Sequence, residues 1–217
     1  MDIANIASKI DHTLLKPDAT EKEIVNLCHE AVKYGFAAVC LNPTYVCTAA
    51  RLLHGTNIAI ATVVGFPLGA VLTETKIQEI LAAKAHGARE VDAVINVSRL
   101  KSGDWKTVER DLNLMAQTAH GCGMKIKIII EAGLLTLKEK KKAAEIVKAS
   151  GADFIKTSTG YFGGATIEDV KMLKEWSGPE VKVKASGGIK TKEFALELLK
   201  AGADRLGTSS ALALVGA

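Results

Sequence analysis

One turn recurs along this chain. Gly35-Phe36-Ala37-Ala38-Val39, Gly87-Ala88-Arg89-Glu90-Val91, Gly151-Ala152-Asp153-Phe154-Ile155 and Gly202-Ala203-Asp204-Arg205-Leu206 each end an amphipathic stretch on glycine and start an apolar run within four residues. Glycine suits the left-handed position that closes a helix, so each copy reads as a helix-to-strand junction. Four copies of one junction call for one repeated unit rather than two unlike domains. Strand-like runs lie at 9–15, 37–41, 58–64, 91–95 and 126–131, from Phe154, from Val181, and at 205–208, with helical periodicity between them. Eight strands alternating with seven helices predict an α/β fold of the (β/α)8 TIM-barrel type, a single domain over residues 1–217. A doubly wound open sheet is the alternative, but no GxGxxG follows the first strand. Residues 1–8 read as a short N-terminal helix over one barrel end. The chain stops nine residues after Thr208, so the eighth outer helix is short or missing.

Local signals fill in the helices. Thr20 with Glu23 forms a capping box ahead of Ile24, Leu27, Cys28 and Ala31. A later helix presents Ile77, Ile80 and Leu81 on one face, and another runs from Trp105 to about His120. The run Lys138-Glu139-Lys140-Lys141-Lys142 reads as a solvated helix face, and Thr166 opens a helix with Asp169 as capping partner.

Composition limits the partners. The net charge is +4 with only 5% aromatic residues, and the lysines are dispersed over helices. That fits an anionic small substrate better than a nucleic-acid surface. Cys28, Cys40, Cys47 and Cys122 make no CxxC pair and match no zinc module, so they read as reduced thiols in a cytoplasmic protein. No apolar stretch approaches membrane-spanning length. Of the five histidines only His12 lies near a strand end, which disfavours a metal centre.

The chemistry concentrates where a barrel keeps its active site, at the C-terminal strand ends. Asp11, Thr13, Asn42, Asp92, Asn96, Glu131, Lys156, Thr157, Lys184, Ser186, Ser209 and Ser210 fall there. Each of these alone could terminate a strand or cap a helix. Lys156, Lys184 and Asp92 together are harder to dismiss, because buried charges need each other or a task. A lysine that attacks a carbonyl must be neutral, and burial beside a second cation lowers its pKa from about 10.4. Lys156 and Lys184, on neighbouring strands, offer that pairing, and Asp92 a proton carrier. The loops 158–160, 186–188 and 208–210 offer backbone N–H groups to a phosphate. Lys182, two residues before Lys184, is either a third cation low in the barrel or the mark of a later strand start.

These segments also resemble a known family. IDHTLLKPDAT (10–20), VCLNPTYV (39–46), TVVGFPLGA (62–70), EVDAVINV (90–97), LKSGDW (100–105), KTSTG with GGAT (156–166), VKASGGI (183–189) and GTSS (207–210) together resemble the deoxyribose-phosphate aldolases, class I aldolases of deoxynucleoside breakdown. The resemblance implies Lys156 as the Schiff-base lysine, Lys184 as its perturbing lysine and Asp92 as the proton-transferring carboxylate. It implies Gly160, Gly187, Gly188, Ser209 and Ser210 as the phosphate site, with Asp11, Thr13, Cys40, Asn42 and Thr157 lining the substrate pocket. The implied reaction is reversible cleavage of 2-deoxy-D-ribose 5-phosphate to D-glyceraldehyde 3-phosphate and acetaldehyde. No metal, organic cofactor, nucleic acid or membrane is implied; a homo-oligomer is. The loop Tyr161-Phe162 is a residue shorter than the family pattern, and the chain ends at Ala217 without the C-terminal tyrosine that many members carry. Another phosphate-binding barrel aldolase or isomerase, or a polyanion-binding barrel without catalysis, is the competing class.

Overall fold

The computed structural model describes residues 6–217. Eight parallel strands close into a barrel in the order of the sequence: β1 (Ile10–Leu14), β2 (Ala38–Leu41), β3 (Ala59–Val64), β4 (Glu90–Val94), β5 (Lys125–Ile129), β6 (Phe154–Lys156), β7 (Lys182–Ser186) and β8 (Arg205–Thr208). Outside them run α1 (Glu21–Tyr34), α2 (Val46–Leu52), α3 (Thr73–Ala85), α4 (Val97–Lys101), α5 (Trp105–Gly121), α6 (Leu137–Ser150), α7 (Ile167–Ser177), α8 (Lys192–Lys200) and α9 (Ala211–Val215). The eighth outer helix is therefore present and short. Ile6 and Ala7 are helical and buried and Ser8 lies in a turn, so the predicted N-terminal helix ends by Ala7; its residues 1–5 lie outside the described residues. Among the described residues no helix is long and apolar enough to cross a membrane.

The recurring turn does what its residues dictate. Gly35 and Gly151 adopt φ of 68° and 74° and end α1 and α6 in the left-handed region, which a side chain would disfavour. Thr20 and Thr136 close full capping boxes with Glu23 and Glu139. Thr166 caps α7, but Asp169 turns instead to Lys140 Nζ at 2.6 Å. The lysine run of α6 is thus only partly a solvated face.

Two expectations shift. The helix α4 stands between β4 and the helix expected from Trp105, where no element was assigned, because Asn96 accepts a hydrogen bond from Arg99 N at 3.1 Å and caps it. On α3 the buried face is Lys76, Ile80 and Ala83, whereas Leu81 is exposed. Lys76 turns inward because Asp111 of α5 awaits it: its Nζ donates to Asp111 Oδ2 at 2.6 Å and to Val94 O at 3.0 Å.

Strand side chains alternate across the barrel wall. Outward residues such as Val39, Leu41, Ile60, Val91, Ile126, Ile128, Ile155 and Val183 join the helices in one continuous core. That shell holds the barrel rigid around whatever its interior carries.

Candidate active site

The barrel interior is divided. From β2 and β3 it receives Cys40, Ala61 and Val63, a small apolar patch separate from the main core. The other strands deliver charge: Asp11 from β1, Glu90 and Asp92 from β4, Lys127 from β5, Lys156 from β6, Lys184 from β7 and Arg205 from β8. Register makes them neighbours, with Asp92 beside Lys127, Lys156 beside Lys184, and Lys184 beside Arg205. Gly207 leaves room for the Lys184 stem, since a Cβ there would stand 3.0 Å from Lys184 Cε.

Six of these groups close a ring of alternating sign. Asp92 Oδ1 accepts from Lys127 Nζ at 2.8 Å, and Lys127 Nζ lies 2.6 Å from Glu90 Oε2. The second of these is an ion contact whose angle is not that of a hydrogen bond. Glu90 Oε1 lies 3.5 Å from Arg205 Nη2, and Arg205 Nη1 donates to Asp11 Oδ1 at 2.6 Å. Lys184 Nζ donates to Asp11 Oδ2 and, at 2.7 Å, to Asp92 Oδ2, closing the circle. Three cations thus meet three carboxylates. Lys156 is the extra charge: its Nζ donates at 2.7 Å to Asp92 Oδ2, the oxygen Lys184 already uses.

That imbalance sets the protonation states. Burial would raise the pKa of Asp11, but Lys184, Lys127 and Arg205 outweigh it and bring it to about 2. Asp92, equally opposed by burial, is held well below the carboxylate range by Lys127, Lys156 and Lys184. Burial would lower Lys184 and Lys127 as well, yet their carboxylate partners win and raise both. Lys156 moves the other way. Burial pulls its pKa down, Asp92 opposes, and the nearby Lys184 cation adds to the lowering. The ring stays ionised while Lys156 is the amine readiest to lose its proton.

A cavity of about 420 Å³ opens at the C-terminal strand ends. Lys156, itself only 3% exposed, is the one member of the charge cluster in its lining. Thr13, Gly160, Gly187, Gly188 and Ser209 line it as well. Among the described residues the N–H groups of Gly160, Gly187, Gly188 and Ser209 donate to no protein acceptor. The lining contains Lys16 and Lys190 and no Asp or Glu. Those two lysines are absent from the sequence-derived set, although one sits inside and the other directly follows a motif quoted for it.

The other expected residues stand back from the cavity. Asp11 belongs to the ring beneath it. Cys40 is buried in the apolar patch, its thiol pushed up to about 11 by burial. Asn42 is half-buried and its amide donates to Lys16 O at 3.2 Å, so it braces the loop that carries Lys16. Thr157 exchanges two 3.1 Å hydrogen bonds with the Ser186 backbone and locks β6 to β7. Ser210 is outside the lining; its N–H donates to Thr208 Oγ1 at 2.9 Å. Lys182 starts β7 as an exposed residue, with its Nζ 5.8 Å from the Phe154 ring centroid. The deep third lysine is Lys127, which escaped the sequence pattern. Its signal was the inward place between Ile126 and Ile128, both of which face the helices.

The short loop after Gly160 packs backbone on backbone. Ala165 N donates to Gly187 O at 3.1 Å, and a Cβ on Gly164 would meet that same oxygen at 2.6 Å. Among the described residues no three His, Cys, Asp or Glu side chains are grouped to hold a metal ion; the carboxylates that do gather are engaged by cations.

Comparison with known proteins agrees with this chemistry. The model of the DeoC/LacD family aldolases matches residues 6–214. A deoxyribose-phosphate aldolase of Desulfitobacterium hafniense (strain DSM 10664 / DCB-2) is 64% identical, over 99% of each chain. One from Geobacillus sp. (strain WCH70) is 52% identical over 97% of this chain and 95% of the other. The solved structure described as a unique tetrameric deoxyribose phosphate aldolase from Aeropyrum pernix superposes with a TM-score of 0.93 at 35% identity, covering 99% of this chain and 91% of that one. With a near-complete family match and full-length relatives of this identity, the chain belongs to the DeoC/LacD family of aldolases, which are carbon–carbon lyases.

Proposed function

We propose that the chain reversibly cleaves 2-deoxy-D-ribose 5-phosphate to D-glyceraldehyde 3-phosphate and acetaldehyde through a Schiff base on Lys156. The observation that carries this reading is the balanced ion ring with Lys156 as its unbalanced seventh member, the only one that meets the cavity.

In this reading neutral Lys156 Nζ attacks the C1 aldehyde carbon of the open-chain sugar, and the carbinolamine loses water to an iminium. Asp92, directly or through a water, takes the C3 hydroxyl proton as the C2–C3 bond breaks. The electron pair of that bond passes to the iminium, giving an enamine and releasing glyceraldehyde 3-phosphate. Protonation of the enamine at C2 and hydrolysis return acetaldehyde and free Lys156. Lys184, held cationic between Asp11 and Asp92, keeps Lys156 from retaining its proton. The free N–H groups of Gly160, Gly187, Gly188 and Ser209 take the phosphate with Lys16 and Lys190, and Ser210 supports that turn. Thr13 lines the sugar path, and Asp11, Cys40, Asn42 and Thr157 shape it from behind.

The reading extends to surroundings. Four free cysteines fit a reducing cytoplasm. A homo-oligomer fits the tetrameric relative and the exposed Leu68, Leu72 and Leu137; analytical ultracentrifugation decides it. The central test is borohydride reduction with acetaldehyde present. An ethyl group should appear on Lys156 and vanish in Lys156→Ala, alongside a cleavage assay with 2-deoxyribose 5-phosphate. An adduct that persists undiminished in the variant removes Lys156 from the mechanism.

A further inference from the structure

Glu131 stands two residues beyond the end of β5, 1% exposed, and among the described residues it is the one non-glycine residue with positive φ (φ 51°, ψ 59°). A side chain in the left-handed region is strained, and such strain persists where the surroundings demand it. The demand here is visible on both sides. Ile130 N donates to Lys156 O at 3.0 Å and Ala132 N to Thr157 O at 2.8 Å, so donors two residues apart meet consecutive carbonyls, the last of β6 and the one just past it. A regular parallel ladder skips a residue on both strands; the kink at Glu131 absorbs the mismatch.

The kink aims the carboxylate at the loop after Lys156. Both oxygens accept from Thr159 N, at 3.3 Å and 3.1 Å, and Oε2 also accepts from the Thr159 hydroxyl. Thr159 Oγ1 in turn accepts from Tyr161 N at 3.1 Å, and Tyr161 Oη donates to Leu15 O at 3.3 Å on the far side of the mouth. Gly160, whose N–H is free, lies between the two gripped residues. Glu131 is not in the lining, and the cavity keeps its cationic wall although a carboxylate stands one residue behind it.

We infer that Glu131 is a positioning residue for phosphate recognition: its carboxylate locks the Thr159–Tyr161 turn and thereby presents the Gly160 N–H to the anion. The inference rests on the phosphate site proposed above. Near a cationic pocket an acid would ordinarily weaken anion binding, and here its charge is taken up by the Thr159 N–H and hydroxyl donors.

Glu131→Gly tests this, because glycine accepts φ 51° without strain and deletes only the grip. With 2-deoxyribose 5-phosphate its KM should rise about ten-fold or more while kcat changes little, as displacement of one binding loop predicts. With unphosphorylated 2-deoxyribose kcat/KM should stay within about two-fold, since only the phosphate end feels the turn. Thr159→Val should reproduce the split, and the double variant should add little to either single change. Equal losses on both substrates, or an unchanged KM for the phosphate ester, overturn the role. If Glu131→Gly does not give a cooperative thermal melt, Glu131→Gln carries the same comparison, expected to show a smaller KM rise of the same selectivity. Borohydride trapping of acetaldehyde on Lys156 in the wild type separates the two levels: no adduct there rejects the aldolase mechanism, whereas an adduct with no substrate-selective KM change rejects only the role of Glu131.

Discussion

Two buried lysines in this molecule sit under nearly the same cover and behave differently. Lys76, between α3 and α5, has a carboxylate oxygen of Asp111 to itself and a backbone carbonyl besides. Lys156, inside the barrel, shares one oxygen of Asp92 with Lys184. Burial therefore does not make an amine reactive. What matters is whether the local count of charges closes without it, and for Lys156 it does. The outer pair ties two helices to the end of β4; the inner cluster holds a surplus cation at the foot of a cavity.

The sharpest way to break this contrast is Lys156→Met. Cleavage should fall on the order of 10^4-fold or more, while urea unfolding should show stability unchanged or about 1–3 kcal/mol higher, because an unbalanced buried charge is gone. A large loss of stability would make Lys156 a member of the ring rather than its surplus.

Lys184→Leu comes next. Activity needs neutral Lys156, so rate rises with pH through its pKa. Removing the neighbouring cation raises that pKa and moves the acidic limb of the profile to higher pH. Turnover near neutrality should drop about 100-fold and recover in part in alkaline buffer. A profile that keeps its wild-type position excludes Lys184 as the perturbing cation.

A smaller catalytic effect and a larger structural one are expected from Lys127→Met. Glu90 and Asp92 lose a buried counter-ion, at a cost of about 3–5 kcal/mol in unfolding. Lys156 then claims more of Asp92, and neutral-pH turnover should fall about ten-fold. The least change belongs to the outer pair. Lys76→Met with Asp111→Leu should leave cleavage within about two-fold of wild type, with stability the same or slightly higher, whereas Lys76→Met alone should cost about 3–5 kcal/mol. If the double variant loses activity, the outer pair reaches the chemistry and the contrast fails.

Much of this was legible in order along the chain. The glycine junctions and the short apolar runs that alternate with helical stretches specify a parallel barrel, and the local capping signals at Thr20 and Thr166 are satisfied within a few residues of themselves. What escaped depends on partners distant in sequence. Asn96 caps a helix that apolar periodicity did not announce. Lys76 turns inward only because Asp111, 35 residues on, meets it. Lys127 resembles any strand lysine until closure brings Glu90 and Asp92 beside it.

The sequence by itself determined the repeated βα unit and the identity of Lys156, Lys184 and Asp92 as charges no strand would carry idly. Those follow from local sterics and the cost of burying ions, which act residue by residue. Only the tertiary structure decided which lysine is the odd one. The ring closes from Asp11 of β1 to Arg205 of β8, 194 residues apart, and charge balance belongs to a closed set of neighbours rather than to any segment of the chain.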